Sequence, residues 1–470
     1  MFAGPVQIGT TDEWTPPAGT VVSWHASAES KAAVAQAPVS TVPVSYMQAQ
    51  HLRGYVEQAA KGLEYSRLLI VTCDIPGRCD TRAMTHVINA HLRRHDTFRS
   101  WFDYRGPDDI VRHAVDDPSV IKFVPTRHGE LTSEQVRDLA ASTADPLQWD
   151  CFSFGTIQYA DRFTIYLSID HLHMDATFVG MALMELYMAY FALVSGGAQL
   201  KLPPAGSYEA FCRRQHDQLA ALTADSPAVR DWITFAENND GGFPEFPLPM
   251  GDPSQPCRAA MFTETVMDEE QTARFESLCV ESGARFIGGM LACIAQADCE
   301  LTGKDTYYGL TPSDTRSTPE DYATMGWFTG LIPITVPVAG ESFGSAARTA
   351  QSCFDNGRHM VEVPFYRVLE LAPELHRPHP NFPVINYLDA GAPPLSALLT
   401  PEMENMNLGI FADGRYSYQL TVFVARLDHE TAITTVYPDL PEARESISRY
   451  VAAIKAACVR VAEGRAAVTA

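Results

Sequence analysis

The spacing of apolar and polar residues predicts strands and helices that alternate throughout the chain. A period of two residues marks strands, and a period near 3.6 marks amphipathic helices. In the first half, strand patterns cover residues 67–72, 98–104, 152–159 and 163–169, and helical patterns cover residues 81–94 and 133–141. In the second half, strand patterns cover residues 260–266, 306–311, 332–338, 417–425 and 432–437, and helical patterns cover residues 268–281, 286–301 and 441–462. This alternation predicts an α/β fold.

Residues 238–257 interrupt the alternation with a stretch that is dense in glycine and proline. Such a composition is typical of a linker between domains. The chain has 470 residues, which is more than one ordinary hydrophobic core supports. We therefore expect two domains, residues 1–237 and 258–470, joined by a linker at residues 238–257.

Residues 176–194 are almost wholly apolar, and Glu185 is their only charge. The length is marginal for crossing a membrane, and the charge lies at the centre. A helix that is apolar on all sides is also what a fully buried core helix looks like. We expect a core helix that ends at Gly196 and Gly197, and no transmembrane segment.

Composition narrows the classes of partner. Apolar residues make up 46% of the chain, which is ordinary for a globular protein, and the net charge is −22. That charge disfavours nucleic acid and anionic membrane surfaces. The ten cysteines lack the Cys-x-x-Cys spacing of zinc or redox sites, so we expect buried thiols in a reducing compartment. The N-terminus does not resemble a signal peptide, so we expect a cytoplasmic protein and leave peripheral association with the inner membrane open.

The candidate chemistry lies where the strand pattern 163–169 runs into His171, with Asp175 four residues further on. Histidine has an ordinary pKa of about 6.5, so it can accept and return a proton at neutral pH. We expect His171 to be a general base, and Asp175 to support its turn through an ion pair with an arginine. The alternative for His171 is a core histidine whose hydrogen bonds are satisfied.

The pattern His-x-x-x-Asp is not specific by itself, because His113 and Asp117 have the same spacing. This second copy is followed by Pro118 and lies among charged residues. We therefore expect it to form a solvated loop.

Several further motifs follow the order found in the condensation-domain superfamily and its polyketide-associated (Pap) acyltransferases, which the chain resembles from about residue 40 to its end. They are Ser45-Tyr46-Met47-Gln48-Ala49-Gln50-His51, Arg94-His95-Asp96-Thr97-Phe98-Arg99-Ser100-Trp101-Phe102, Tyr208-Glu209-Ala210-Phe211, Gly326-Trp327-Phe328-Thr329-Gly330, Val363-Pro364-Phe365 and Asn381-Phe382-Pro383. The stretches 89–96, 145–150 and 326–333 are similar to those of the mycobacterial branch that acylates trehalose.

The resemblance implies two chloramphenicol-acetyltransferase-like domains in a V, with a tunnel at their interface. It also implies that His171 is the base, and that Arg316 pairs with Asp175, although Arg316 alone would read equally well as a surface charge. The family signature is His-His-x-x-x-Asp-Gly, and this chain departs from it at Asp170 and Ala176. A Cβ at the glycine position would narrow the tunnel mouth or shift the turn.

Three residues near the base, Asp170, His173 and Arg316, are the expected substrate-binding residues. Asp170 would accept a hydrogen bond from a sugar hydroxyl, or would raise the pKa of the base. The methionines on the apolar helix, Met181, Met184 and Met188, would line an acyl channel, although helical spacing of apolar residues is more often a core feature.

The function that the resemblance implies is transfer of a long-chain acyl group from an acyl thioester, acyl-CoA, to a hydroxyl of trehalose or a related glycolipid precursor. Coenzyme A is then part of a co-substrate, and we expect no metal or redox cofactor. We expect a monomer, with contact to a polyketide synthase or a lipid transporter left open.

Two other functions remain as alternatives. The stretch Gly340-Glu341-Ser342-Phe343-Gly344 matches the nucleophile elbow of serine esterases, with Asp389 and His429 in the order of triad partners. Against this, Pro333 and Pro337 lie in the preceding strand pattern, and Ser342 also suits a helix cap. The departures at Asp170 and Ala176 leave room for a non-catalytic docking protein.

Overall fold

A computed structural model describes residues 2–3, 6–196, 200–252, 255, 257–378, 382–389, 406–415, 420–427 and 429–465, without the side chains of residues 2, 3 and 176–178. The chain forms two compact units. The first contains residues 1–220, 316–328 and 397–415, and the second contains residues 221–315, 329–396 and 416–470. Both units are sheet-rich and carry helices, which confirms the predicted α/β class.

The described strands, in chain order, are β1 (Phe2–Ala3), β2 (Val6–Thr10), β3 (Gly19–Ala26), β4 (Leu68–Pro76), β5 (Ser100–Gly106), β6 (Asp109–Ala114), β7 (Phe123–Leu131), β8 (Phe152–Gln158), β9 (Arg162–Asp170), β10 (Ala259–Asp268), β11 (Thr306–Asp314), β12 (Thr329–Pro337), β13 (Val384–Asp389), β14 (Leu408–Ala412), β15 (Thr421–Arg426) and β16 (Glu430–Pro438).

The described α-helices are α1 (Ala28–Ala35), α2 (Tyr46–Ala60), α3 (Thr81–Arg94), α4 (Ser133–Ala141), α5 (Ala176–Gly196), α6 (Tyr208–Ala220), α7 (Pro227–Asn238), α8 (Glu269–Glu281), α9 (Phe286–Thr302), α10 (Phe343–Asn356), α11 (Phe365–Leu371) and α12 (Pro441–Ala462). Short 3₁₀ turns cover Thr11–Glu13, Asp96–Arg99, Pro118–Val120, His171–His173, Asp321–Ala323 and Gly357–Met360.

The sheet of the first unit has the order β1-β2-β14-β4-β9-β8-β3-β7. Strand β9 lies between β4 and β8 and is antiparallel to both. Every residue of β9 after Arg162 is buried, which is what a strand covered on both faces of a sheet requires. Because β9 is a central strand, its C-terminal end is held by a neighbouring strand on each side. The residues that follow this end, beginning with His171, are therefore firmly positioned.

The sheet of the second unit has the order β10-β16-β15-β13-β11-β12. Its strand β13 is parallel to β11 and β15, and the other pairs are antiparallel. One core of this unit collects Val363, Phe365 and Phe382 from the motifs near residues 363 and 382. Asn381 of the latter motif lies outside the described residues.

The two units do not follow the continuous division expected from the sequence. Helix α7 belongs to the second unit, because Trp232 and Phe235 pack into a core with Phe243 and Phe365. The segment 316–328, which connects β11 to β12, belongs to the first unit. The expected linker 238–257 lies within the second unit, apart from residues 253, 254 and 256, which are outside the described residues. The V-shaped arrangement and the tunnel stay predictions.

Helix α5 is not the fully buried helix that its composition predicted. Its window Val179–Gly196 is long and apolar enough to cross a membrane, but only 28% of that window is buried. Leu183, Leu186 and Tyr190 are buried in the core of the first unit, whereas Met188 and Val194 are exposed. The helix therefore packs through one face, so an apolar composition on all sides did not indicate burial on all sides. Gly197 lies outside the described residues.

The second His-x-x-x-Asp copy is also not the loop that was expected. His113 lies in β6, and its ring stacks on Trp101 with centroids 4.1 Å apart. The sequence hid this strand because β6 lies in a short two-stranded sheet with β5, where few of its positions are buried. Asp117 instead caps the turn at Pro118–Val120 by accepting a hydrogen bond from the Ser119 amide.

Ser342 caps a helix and does not sit on a nucleophile elbow. Its hydroxyl accepts a hydrogen bond from the Ser345 amide at the start of α10. The preceding strand β12 is at the edge of the sheet and antiparallel to β11, unlike the central parallel strand of an elbow. Asp389 is paired with Arg426 at 3.1 Å, and the side chain of His429 is 59% exposed. The serine-esterase alternative therefore has no support in the fold.

Replacing Ser342 with Ala should lower the free energy of unfolding by about 1 kcal/mol, the usual cost of losing a helix cap. Urea unfolding followed by tryptophan fluorescence measures this change. Ser342→Asp is the matched control, because an aspartate can accept the same hydrogen bond and should recover most of the loss. An Ala variant as stable as the parent would contradict the capping role.

Candidate active site

The candidate base is held at the end of the central strand by backbone contacts. Strand β9 ends at Asp170, and a 3₁₀ turn follows at His171–His173. The amide of His171 donates to the carbonyl of Arg67, just before β4, at 2.8 Å. The carboxylate of Asp170 accepts from the amide of Leu172 at 3.0 Å and so closes the turn. The position of His171 is therefore fixed from both sides.

Aromatic rings surround the imidazole of His171. The centroid of the Trp327 ring lies 4.1 Å from that of His171, and the centroid of the His51 ring lies 6.3 Å away. The His171 side chain is part-buried, and its buried Nδ1 has no hydrogen-bond partner among the described residues. The ring is positioned by packing more than by side-chain hydrogen bonds.

Burial, followed by the nearby His51, lowers the pKa of His171 to about 4. The charges of Asp170 and Asp175 act in the opposite direction, but they do not outweigh burial. Asp170 thus pulls the pKa upward as expected, although the net shift is downward. The imidazole of His171 is therefore neutral at pH 7 and able to accept a proton.

The predicted ion pair between Asp175 and Arg316 is present. Arg316 Nη1 lies 2.9 Å from Asp175 Oδ2, and both side chains are almost completely buried. The same carboxylate oxygen accepts a hydrogen bond from the amide of Phe328 at 2.9 Å. Arg316 also donates to the carbonyls of Asp321 and Thr324. Asp175 is therefore engaged within the protein and acts by positioning the segment 316–328.

This segment brings Trp327 to the base. Gly326 precedes Trp327, and a Cβ at residue 326 would lie 2.2 Å from Tyr208 Cδ2, so only glycine fits there. The hydroxyl of Tyr208 lies 3.2 Å from the carbonyl oxygen of Trp327 and 2.9 Å from the Ser45 hydroxyl. Phe328 packs under the guanidinium of Arg316 at 4.2 Å. The backbone on both sides of Trp327 is thus fixed.

Four of the sequence motifs meet at this place. Ser45 caps α2 and contacts Tyr208, which begins α6. The carboxylate of Asp96 accepts hydrogen bonds from the Ser207 hydroxyl and the Tyr208 amide, and so caps α6. The motifs near residues 45, 96, 208 and 326 therefore support one another around the His171 turn.

Asp170 lies in an environment that does not suit the predicted contact with a sugar. Its side chain has no exposed surface. One carboxylate oxygen lies 2.7 Å from His51 Nε2, and the other lies 2.9 Å from Arg67 Nη1. Although burial favours the neutral acid, His51 and Arg67 keep the pKa of Asp170 below its ordinary value. Both oxygens are thus occupied, and Asp170 is a buried anchor between α2, β4 and β9.

His173 is likewise a core residue and does not suit substrate binding. It is fully buried, its Nδ1 lies 3.0 Å from the Thr97 hydroxyl, and its Nε2 lies 3.3 Å from Cys151 Sγ. Its ring also packs against Phe98 and Phe152. The 3₁₀ turn explains this, because it has three residues per turn, so side chains two positions apart, such as those of His171 and His173, point in different directions.

The sequence analysis did not identify the roles of His51, Arg67, Trp327 and Tyr208. His51, Trp327 and Tyr208 lie in motifs that indicated the family, but those motifs did not indicate what each residue does. Arg67 had no signal of its own. It precedes β4, and its guanidinium donates to Asp170 and to the carbonyls of Thr143 and Ala144.

The remaining predicted features of this site are only partly described. Met181 and Met184 are partly buried against the core, and Met188 is 42% exposed, so the three do not share one environment. The acyl-channel role of this helix stays a prediction. The backbone of Ala176 begins α5, and its side chain lies outside the described residues.

Comparisons with a family model, with sequence relatives and with solved structures all indicate the same family. The family model named "Condensation domain" matches residues 40–437. The acyltransferase PapA3 of Mycobacterium tuberculosis is 58% identical over 463 residues, covering 98% of this chain and 98% of that protein. The 2'-acyl-2-O-sulfo-trehalose (hydroxy)phthioceranyltransferase PapA1 of Mycobacterium bovis is 55% identical over 464 residues, covering 99% of this chain and 90% of that protein. A solved structure titled "PapA2 acyl transferase" superposes with a TM-score of 0.93 at 50% identity, covering 97% of this chain and 100% of that chain.

The ion pair between Asp175 and Arg316 can be tested by a double-mutant cycle. Asp175→Asn and Arg316→Met should each lower the free energy of unfolding by about 3 to 5 kcal/mol, because each leaves one buried group without its partner. The double variant should cost clearly less than the sum of the two. Urea unfolding of the four proteins gives the coupling energy.

Arg214→Met serves as a control, because Arg214 pairs with Asp321 through a side chain that is 38% exposed. We expect a smaller loss for that more exposed pair. Additive losses for Asp175 and Arg316 would mean that the two residues stabilise the protein independently.

Proposed function

Since this chain belongs to the condensation-domain family, as a relative of the mycobacterial Pap acyltransferases, we propose that it is an O-acyltransferase. The reaction is transfer of a long-chain acyl group from acyl-CoA to a hydroxyl of trehalose or a related glycolipid precursor. The observation that supports it most is the neutral imidazole of His171, held at the end of β9 in a chain that is 58% identical to an acyltransferase.

In this mechanism His171 accepts the proton of the acceptor hydroxyl while the hydroxyl oxygen attacks the thioester carbonyl. The tetrahedral intermediate then collapses, the carbon–sulfur bond breaks, and the leaving thiolate takes the proton from His171. No acyl-enzyme forms, so the site does not need an activated nucleophile. Binding both substrates together contributes the advantage of proximity.

The acceptor is inferred from the relatives. PapA1 is named for a sulfated, acylated trehalose, and PapA2 of Mycobacterium bovis is named a trehalose-2-sulfate acyltransferase, so trehalose and trehalose 2-sulfate are the acceptors to test first. The donor is a thioester, and a carrier protein or a polyketide synthase presenting the acyl chain is compatible with the same chemistry. We propose that the reaction takes place in the cytoplasm, with contact to a lipid transporter and association with the inner membrane as further parts of the proposal.

The non-catalytic docking alternative is less well supported. A protein that only docks a partner has no need for a neutral, part-buried imidazole at the end of a strand. It also has no need for the paired Asp175 and Arg316 that hold Trp327 against that imidazole. Both features are retained in spite of the change at Asp170.

Release of free coenzyme A from palmitoyl-CoA tests the proposal. Release should depend on trehalose or trehalose 2-sulfate, and His171→Ala should lower the rate by roughly 10² to 10⁴, the usual contribution of a general base. Mass spectrometry of the acylated sugar identifies the acceptor.

Ser342→Ala is the matched control, because Ser342 caps α10 in the second unit, whereas His171 lies in the first. It should keep its activity at a temperature where it is folded. Loss of activity in Ser342→Ala but not in His171→Ala would reject the proposal in favour of a serine hydrolase. Binding of the acyl thioester without turnover by any variant would favour the docking alternative.

The pKa of about 4 at His171 sets the expected pH dependence. The base must be neutral to work, so kcat/KM should stay nearly constant from pH 8 down to about pH 5.5 and should be half lost only near pH 4. An unshifted histidine would lose half its activity near pH 6.5. Initial rates of coenzyme A release between pH 4.5 and 8 distinguish a histidine with the lowered pKa from one with an unshifted pKa.

Stability must be followed in the same experiment. His95 and His173 also have a pKa of about 4, lowered chiefly by burial. A histidine with a lowered pKa binds fewer protons in the folded state, so stability decreases as the pH falls from about 6.5 towards 4. A loss of kcat/KM near pH 6.5 in protein that is still folded by circular dichroism would contradict the predicted pKa of His171.

A further inference from the structure

Two histidines and a glutamate converge in the first unit away from the His171 turn. His91 and His95 are four residues apart on α3, so they lie on one face of that helix. Glu185 lies on α5. One potential ligand atom from each of the three residues lies within 4.8 Å of the other two. This cluster plays no part in the acyl-transfer mechanism.

The distances in the cluster suit a small cation. Glu185 Oε2 lies 2.9 Å from His95 Nε2 and 3.6 Å from His91 Nδ1. Zinc binds imidazole nitrogen at about 2.0–2.1 Å in a tetrahedron, which places neighbouring ligand atoms roughly 3.3 Å apart. These two separations bracket this value, and all three ligand atoms lie within 4.8 Å of one another, so small side-chain movements would bring them to the distances that an ion requires.

His91 is the unusual member, because its side chain is 99% buried by the protein and still lacks a hydrogen-bond partner. Its side chain is 1% exposed, and neither ring nitrogen makes a hydrogen bond among the described residues, although Nδ1 faces Glu185 Oε2 at the longer distance of 3.6 Å. A buried polar group without a partner costs about 1 to 3 kcal/mol. A leucine would fill the same space without that cost, so a ligand for the imidazole is a physical reason for histidine at this position.

Of the two oxygens of the Glu185 carboxylate, one is paired with an arginine and the other faces the two histidines, where it could bind an ion. Arg94 Nε lies 3.2 Å from Glu185 Oε1 and balances that oxygen, while Oε2 faces both histidines. His95 Nε2 is hydrogen-bonded to Oε2 at 2.9 Å, and a bound ion would replace this hydrogen bond. The Glu185 side chain is 12% exposed, which leaves room for water to complete the coordination.

We propose that His91, His95 and Glu185 bind one divalent transition-metal ion, preferably Zn²⁺. Two imidazoles and one carboxylate form a donor set that suits zinc. The ion joins α3 to α5, the helix that begins directly after Asp175, and its role is structural. Arg94 does not bind the ion itself but orients the Glu185 carboxylate that does.

The test uses the tag-free full-length protein, stripped with EDTA and then supplied with one equivalent of Zn²⁺. After gel filtration, mass spectrometry of the metal content should find about one zinc per chain in the parent protein and little in His91→Leu or Glu185→Gln. With Zn²⁺ at about 100 times its Kd, Tm should rise by roughly 5 °C or more in the parent only. Co²⁺ in place of Zn²⁺ should give the visible absorption of a tetrahedral site.

His86→Leu is the matched control, because His86 is an exposed histidine on the same helix. It should bind zinc as the parent does. His91→Leu should have a Tm at least as high as that of the metal-free parent, since it removes a buried imidazole that makes no hydrogen bond. Glu185→Gln provides a second variant should His91→Leu fold poorly. No stoichiometric zinc in the parent, or equal zinc in His91→Leu, would overturn the proposal and leave a hydrogen-bonded cluster without a metal.

Discussion

The ion pair between Asp175 and Arg316 is the interaction on which the site depends. It is almost completely buried, so its Coulomb attraction must offset the cost of removing two charges from water. The offset is helped by hydrogen bonds from the Phe328 amide to Asp175 and from Arg316 to the carbonyls of Asp321 and Thr324. These contacts hold the segment 316–328 within the first unit. Trp327 lies against His171 as a result.

A second set of buried charges explains how the chain accommodates its departure from the family signature. Where the signature has a histidine, Asp170 places a carboxylate with no exposed surface. His51 and Arg67 surround it, each within 2.9 Å, and keep it charged. At this position Asp170 therefore serves as a buried anchor of the turn that carries His171. Removing the aspartate alone would leave two buried partners without their counter-charge, which is why the three residues act as one unit.

The reactivity of His171 follows from its surroundings as a whole. Burial and the nearby His51 oppose a positive charge on the ring, and the carboxylates at residues 170 and 175 only partly compensate. Those carboxylates are already paired with cationic or polar groups, which weakens their influence on the imidazole. The site thus keeps the imidazole of the proposed base neutral while still placing two charged anchors within a few residues of it.

The sequence by itself determined the elements whose signals are local. The predicted helices at residues 81–94, 133–141 and 441–462 have the bounds seen in the structure, because caps and periodicity act between neighbouring residues. It also determined the position of His171 after an apolar strand, and it offered Arg316 as a partner of Asp175 through resemblance to a family arginine. Only the tertiary structure decided that His51 and Arg67 pair with Asp170, across 119 and 103 residues, and that His173 faces the core. It also decided the assignment of residues 316–328 to the first unit and the exposed face of α5. These features depend on which surfaces pack together over long separations, and residue spacing along the chain does not encode such contacts.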